Sequence, residues 1–321
     1  MSDMPELRDG PPWAMEEMIL AEPGLVAAVF ASPEAFEAAE WIRETETVVV
    51  TGCGTSEHAA MAGAALLGAR SRDAFEASLD PQSEGVLIAV SHEAGTAATL
   101  AAMKATGART ILITAQPEID TGADLVIGTP LVDTSWCHTV GYVSPLLAFT
   151  AIAGGSDAAT ASQVIEDTLA QRAKFAAAAH TLNGCDRLIV TGSGLDEITA
   201  RELALKIEEG LHVPVTPLGI EKVLHGHLPA ADERTGIIVL RIDQSAAAER
   251  DKRAGDVRRA VAELNMTAVT IDGLPDGHPL LAGAIALQLL TYELVLAAGT
   301  NPDLIRREDD AYRAAAAAAA T

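Results

Sequence analysis

The sequence predicts an α/β protein built from two similar units, each with a parallel sheet. Two observations predict this. Short, nearly continuous apolar strands alternate with helical stretches along the chain, the pattern of βαβ units. A strand–glycine turn–helix pattern also occurs twice, at Val48–Leu67 and Leu188–Ile207, with the two TG-x-G turns at Thr51 and Thr191, 140 residues apart. A chain of 321 residues with 49% apolar content can fill such cores. Aromatic residues are only 3%, so the packing rests on small aliphatic side chains.

The elements follow in order. Ala14–Phe30 reads as a helix. Pro33–Arg43 reads as another, with Ser32 as its cap and proline in the first turn. Val48–Val50 suit a buried strand, Thr55–Leu67 its helix, and Asp73–Ser78 a short second strand. Gly85–Ser91, Thr110–Thr114 and Asp124–Gly128 are further strands, with a helix from about Thr96 to Ala105. A polar loop around Trp136–Thr139 then opens a long apolar helix. Asp157–Ala179 reads as a helix linking the halves. The second half gives strands at Arg187–Thr191, Gly236–Arg241 and Thr267–Ile271. Its helices are Ile198–Glu209, Ala247–Leu264 and Leu280–Ala297, and Leu211–Leu218 is extended. The predicted organisation is an N-terminal arm (1–33), a first subdomain (34–160), a linking helix (161–179), a second subdomain (180–300) and a tail (301–321).

The formal charge is −23, from 22 basic and 45 acidic residues. That field opposes general binding to nucleic acid or anionic membrane. It leaves room for a small anion held by a local pocket of N–H groups. Cys53, Cys137 and Cys185 are far apart, imply no disulfide framework, and fit a reduced, cytoplasmic setting. The N-terminal stretch lacks the apolar core of a signal peptide. The nearest approach to a membrane span, Leu281–Ala298, carries Glu293. No metal-ligand spacing, Walker A stretch or Ser–His–Asp order occurs, so neither a metal nor a cofactor is expected.

In open parallel sheets ligands gather beyond the C-terminal ends of the strands. Gly52, Gly54, Thr55 and Ser56 lie there, as do Ser91, His92, Glu93 and Thr96, and the loop around Thr139. Hydroxyls at helix N-termini suit a phosphate; they also read as ordinary helix caps. Glu209 near a helix end reads as a solvated carboxylate or as a base. His225, in a Leu–His–Gly–His–Leu–Pro stretch, reads as a loop histidine or as a proton relay.

At these residues the chain resembles the sugar isomerase (SIS) domain family. Within it, the likeness is to tandem-SIS proteins such as the isomerase half of glucosamine-6-phosphate synthase and the related deaminases and deglycases. It spans roughly Met15 to Arg307. GCGTSEHAA resembles the family's CGTS-x-HAA turn, matching at Cys53, Gly54, Thr55, Ser56 and His58. SHEAGTAATLAAM resembles its phosphate loop, matching at Ser91, Thr96, Thr99 and Leu100. Thr139 and Tyr142 match an AST-x-x-Y run. ELALKIEEG and LHGHLP resemble the family's catalytic helix and KHGP turn, with sixteen residues from Glu209 to His225.

The resemblance implies three-layer αβα, flavodoxin-like subdomains and an aldose–ketose isomerase, or an isomerising deaminase or deglycase of an amino sugar phosphate. Glu209 would move a proton between C1 and C2, Lys206 would stand beside it, and His225 would assist ring opening in the partner subunit of a homodimer. The alternatives are a sugar-phosphate sensor that does no chemistry, or an isomerase of an unphosphorylated sugar. Glu93 stands where a serine commonly bonds the phosphate; a protonated His92 would offset it, or Glu93 would turn outward. Arg306 or Arg307 stands where synthases carry a ring-opening lysine. The resemblance leaves no place in this chain for the synthases' glutamine-hydrolysing domain.

Overall fold

The apolar runs Val48–Val50 and Val86–Val90 become neighbouring central strands, and the rest of the first sheet is laid out around them. The computed structural model describes residues 5–319. Helices α1 (Ala14–Ala21), α2 (Val26–Phe30) and α3 (Pro33–Arg43) precede β1 (Val48–Gly52). There follow α4 (Thr55–Leu67), β2 (Arg70–Asp73), α5 (Ala74–Leu79), β3 (Val86–Val90), α6 (Ala97–Ala105), β4 (Arg109–Thr114), β5 (Leu125–Gly128) and α7 (Val140–Ala153). All pairings in this sheet are parallel, in the order β2-β1-β3-β4-β5. Every residue of β3 is buried, which is why its sequence is an unbroken apolar run.

Helices α8 (Ala158–Leu169) and α9 (Arg172–Leu182) lead to β6 (Arg187–Gly192) and α10 (Leu195–Leu211). The chain continues through β7 (Val215–Gly219), the single turn α11 (Ile220–Lys222), β8 (Thr235–Leu240), α12 (Ala247–Ala262), β9 (Thr267–Ile271), α13 (Pro279–Ala298) and α14 (Asp310–Ala319). This second sheet is also parallel, in the order β7-β6-β8-β9. The architecture is α/β, with two parallel sheets flanked by helices as tandem three-layer subdomains.

Three expected elements take a different form. The segment expected as a strand at Asp73–Ser78 is the end of β2 followed by α5, because the Asp73 carboxylate accepts the Glu76 N–H at 3.1 Å and caps a helix there. The helix expected over Ala14–Phe30 is interrupted by a 3-10 turn at Glu22–Leu25, where Pro23 lacks the N–H that a continuous helix needs. The helix expected over Asp157–Ala179 divides into α8 and α9 at Ala170–Gln171.

α13 is apolar around its whole circumference and packs against α1, α7, α8, α9 and α10. By length and composition it could cross a bilayer, and 83% of its apolar window is buried inside the protein. That is the sequence of a central core helix. The helices that follow the two glycine turns, α4 and α10, touch each other, so the two halves meet along the elements their duplicated turns introduce. α4 also packs on α7 at Gly63, where an added Cβ would stand 2.5 Å from the Phe149 ring. Gly63→Ala is expected to cost about 1–3 kcal/mol by overpacking this contact, read as a lowered urea midpoint with an unchanged slope.

Candidate active site

The strand order of the first sheet reverses direction between β1 and β3, the place where open α/β sheets bind ligands. A cleft of about 330 Å³ lies there. One wall is the β1–α4 turn, with Cys53, Thr55 and Ser56. Another is the β3–α6 loop, with His92, Glu93, Gly95 and Thr96. The loop before α7 gives Trp136 and His138, α10 gives Glu209, and the C-terminal segment gives Ile305 and Arg307. Gly52 closes on α4 so tightly that an added Cβ would lie 2.5 Å from the Ser56 carbonyl oxygen. Gly54, at φ 58°, begins the helix.

Lys206 and Glu202 form the base of this arrangement. Both side chains are fully buried. Lys206 Nζ donates to Glu209 Oε2 at 2.5 Å and lies 3.6 Å from Glu202 Oε1. Glu202 reaches across to α4, where it accepts from the Thr55 hydroxyl at 3.1 Å and meets His58 Nδ1 at 2.7 Å. Burial disfavours the Lys206 cation, but Glu209 and Glu202 outweigh it and hold its pKa up. Burial raises the pKa of Glu209, and Lys206 partly opposes this. The Glu209 side chain keeps 22% exposure, toward the cleft.

The two histidines on the wall are neutral. His92 Nε2 accepts the Asp133 N–H at 2.8 Å, so that nitrogen carries no proton. The His92 and His138 rings meet edge-on at 5.3 Å. Burial brings both pKa values down to about 4, helped by the neighbouring His138 for His92 and by Lys206 for His138. The protonated His92 that the sequence allowed as an offset to Glu93 is therefore corrected to a neutral one, and Glu93 lines the cleft rather than turning away from it. The Asp133 carboxylate holds the loop beneath them by accepting from the N–H groups of Ser135, Thr139 and Gly141.

Other sequence-chosen residues lie outside the lining. Ser91 is buried behind the cleft, its hydroxyl 3.4 Å from that of Thr96. Thr139 is fully buried, and its carbonyl accepts from Gln288. Arg306 points to an adjoining depression, donating to the Tyr312 hydroxyl at 2.7 Å, whereas Arg307 stacks on Trp136 at 4.8 Å. His225 is 72% exposed on an irregular turn, with Nε2 3.3 Å from Glu221.

No family model matches the chain. Glutamine–fructose-6-phosphate aminotransferase (isomerizing) of Pyrococcus horikoshii is 26% identical over 84% of this chain and 52% of its own length. The chain thus spans about half of that relative. Among solved structures, the C-terminal domain of glucosamine-fructose-6-phosphate aminotransferase from Francisella tularensis superposes with a TM-score of 0.78 at 19% identity, covering 93% of this chain and 99% of that one. Tagatose-6-phosphate ketose/aldose isomerase from Escherichia coli gives 0.77 at 16% identity, covering 91% and 95%. Glucosamine-6-phosphate deaminase from Thermotoga maritima gives 0.72 at 18% identity, covering 90% and 96%. The chain has the tandem sugar isomerase (SIS) fold.

The second SIS subdomain repeats the glycine turn but closes it. Gly194 repeats the conformation of Gly54, with φ/ψ of 63°/−130° against 58°/−127°. There the Leu195 N–H donates to Asp243 Oδ2 at 3.2 Å, and Arg250 pairs with the same carboxylate. Asp196 fastens the loop by accepting from the N–H groups of Ile242 and Asp243. The protein's own carboxylate thus occupies the second helix end, and the cleft lies at the first.

The sequence pointed to the loop around Trp136–Thr139, which does supply Trp136 and His138 to the lining, but gave no role to Glu202 or Asp133. Glu202 was accessible: it precedes Lys206 by four residues and Glu209 by seven, one face of a helix. Asp133 gave no signal, because its partners are backbone groups.

Two predictions test the site. Lys206→Met leaves Glu202 buried without its cation and is expected to cost about 3–5 kcal/mol in urea unfolding. The histidines make stability pH-dependent. A histidine titrates near 6.5 when unfolded and at about 4 here. The unfolded chain therefore binds more protons between those values, so stability is complete above about pH 6.5 and is lost toward about pH 4. The loss is on the order of 3 kcal/mol per histidine at most. Urea midpoints from pH 7 to 4.5 should show it, and His92→Asn should flatten the slope.

Proposed function

We propose that the cleft moves a proton between C1 and C2 of an open-chain sugar phosphate, as an aldose–ketose isomerase or as an isomerising deaminase or deglycase of an amino sugar phosphate. One observation carries this reading. Glu209, its pKa raised by burial, faces the same cleft as the hydroxyl-bearing first turns of α4 and α6. Such chemistry needs a base in reach of a carbon-bound proton and donors to steady an enediol oxygen.

The roles follow from the contacts. Ser56 and Thr96, with the backbone N–H groups at their helix ends, seat the anionic end of the substrate, and Thr55, whose hydroxyl donates to Glu202, fixes the turn beside them. Lys206 aims the Glu209 carboxylate and balances the charge that would otherwise stop it ionising. Arg307, stacked on Trp136, brings a fixed cation to the cleft mouth from the C-terminal segment. His225 is exposed on its own protomer, and in the proposed homodimer it enters the cleft of the second copy to assist ring opening.

The experiment is deuterium uptake at C1 or C2 from heavy water, with ammonia release, over a panel of hexose and hexosamine 6-phosphates. The wild type should exchange one of them. Glu209→Gln should lower exchange by about 10²–10⁴-fold while sugar-phosphate affinity stays within a few-fold. Tight binding without exchange in the wild type would make the protein a sensor and end the catalytic reading.

A further inference from the structure

Glu93 places an acceptor where a ligand anion also belongs. It lines the cleft beside Ser56 and Thr96, at the first turns of α4 and α6. Both helix ends present backbone N–H groups and the positive end of a dipole, which draw an anion in. A carboxylate at the same wall works against a fully ionised one.

Charged and titratable groups face it from every element around the cleft. On its own loop His92 is neutral, with Nε2 committed to the Asp133 N–H. His138, from the loop before α7, is buried against that ring. Cys53, from the β1–α4 turn, is a thiol whose pKa burial raises further. α10 contributes Glu209, a second carboxylate, with Lys206 already engaged behind it. The C-terminal segment contributes Arg307. The full charges at the cleft are thus the Glu93 and Glu209 carboxylates and the Arg307 guanidinium, with the Lys206 ammonium directly behind Glu209. The hydroxyls of Ser56 and Thr96 are neutral and both donate and accept, whereas that of Thr55 already donates to Glu202.

We propose that Glu93 selects a phosphate ester by its proton: the complex holds R–O–PO₃H⁻, with the P–OH donating to the Glu93 carboxylate and the remaining oxygens accepting from the two helix ends. This rests on the sugar-phosphate reading above and narrows it to one protonation state. A phosphate monoester has a second pKa near 6, so the protonated form is within reach at neutral pH. A sulfate ester carries the same single charge and no proton. An ionised carboxylate only accepts, and offers about four lone-pair sites. Glu93 can therefore keep its contacts within the protein and still take this bond, which is short and charge-assisted. Written with the proton on the carboxylate and a dianion opposite, the complex has the same composition and the same pH dependence.

The test is calorimetric titration of the full chain with fructose 6-phosphate and fructose 6-sulfate between about pH 5.5 and 8.5. Phosphate-ester affinity should fall about tenfold per pH unit above about pH 6. About one proton should be taken up per ligand at the alkaline end, measured in buffers of different ionisation enthalpy. The sulfate ester should bind at least about tenfold more weakly at pH 6, because it sets an anion against the carboxylate with no proton to share between them. Glu93→Gln, whose amide also donates, should flatten the pH profile and close the gap between the esters; the wild-type series stands even where the variant does not fold. Equal binding of both esters by the wild type, affinity unchanged from acid to alkaline pH, or a variant that keeps the wild-type profile overturns the proposal. Catalysed exchange without proton uptake defeats the proposal and leaves the isomerase reading standing. Proton-linked binding without exchange does the reverse. Exchange on fructose with no binding of either ester defeats the phosphate seat and leaves Glu209 as base.

Discussion

The buried cation of Lys206 is the constraint on which the site depends. A lysine with no exposure is tolerable only where opposite charge meets it, and here Glu202 and Glu209 come from its own helix. Glu202 in turn bonds Thr55 and His58 on α4. One charge therefore fixes three things: the rotamer of Glu209, the first turn of α4, and the contact between the two subdomains. An ion pair of this kind adds little net stability compared with an apolar pair of the same shape. What it supplies is a single arrangement, since a shift of α4 against α10 would strip the buried Glu202 carboxylate of its bonds to Thr55 and His58.

The duplicated glycine turn shows how one backbone device has two outcomes. Gly54 and Gly194 adopt the same unusual conformation and open their helices alike. In the first subdomain the next residues are Thr55 and Ser56, and the helix end faces a cleft. In the second they are Leu195 and Asp196, and Asp243 with Arg250 covers the helix end. Both ends require a negative partner. The second finds it within the chain, and the first opens onto the cleft.

Charge at the level of the whole chain and charge at the site point in different directions. A formal charge of −23 surrounds a cleft proposed to take an anion. The means of reversing this are local: helix ends, hydroxyls and one arginine stacked on Trp136. Asp303 positions that arginine's segment, because its carboxylate accepts the Ala14 and Met15 N–H groups while its carbonyl accepts from Trp136 N–H. The N-terminal helix, the loop before α7 and the C-terminal segment are thus joined at one residue, a buried acidic group whose partners are all backbone.

Sequence by itself determined the parallel α/β class and the two glycine turns, while the pairing of Lys206 with Glu209 came only through the family resemblance. The first two rest on short-range pattern: a strand's apolar run and a turn's need for glycine. It missed the helix at Ala74–Leu79, where one aspartate cap outweighed strand-like expectation, and it left open the charge of His92. Tertiary structure alone decided that Thr139 and Ser91 are buried, that Arg307 rather than Arg306 reaches the cleft, and that the second anion seat is filled from within. These outcomes depend on which distant backbone N–H or carboxylate arrives at a given side chain. Burial and partners of that kind are properties of the assembled core, and no local pattern of residues encodes them.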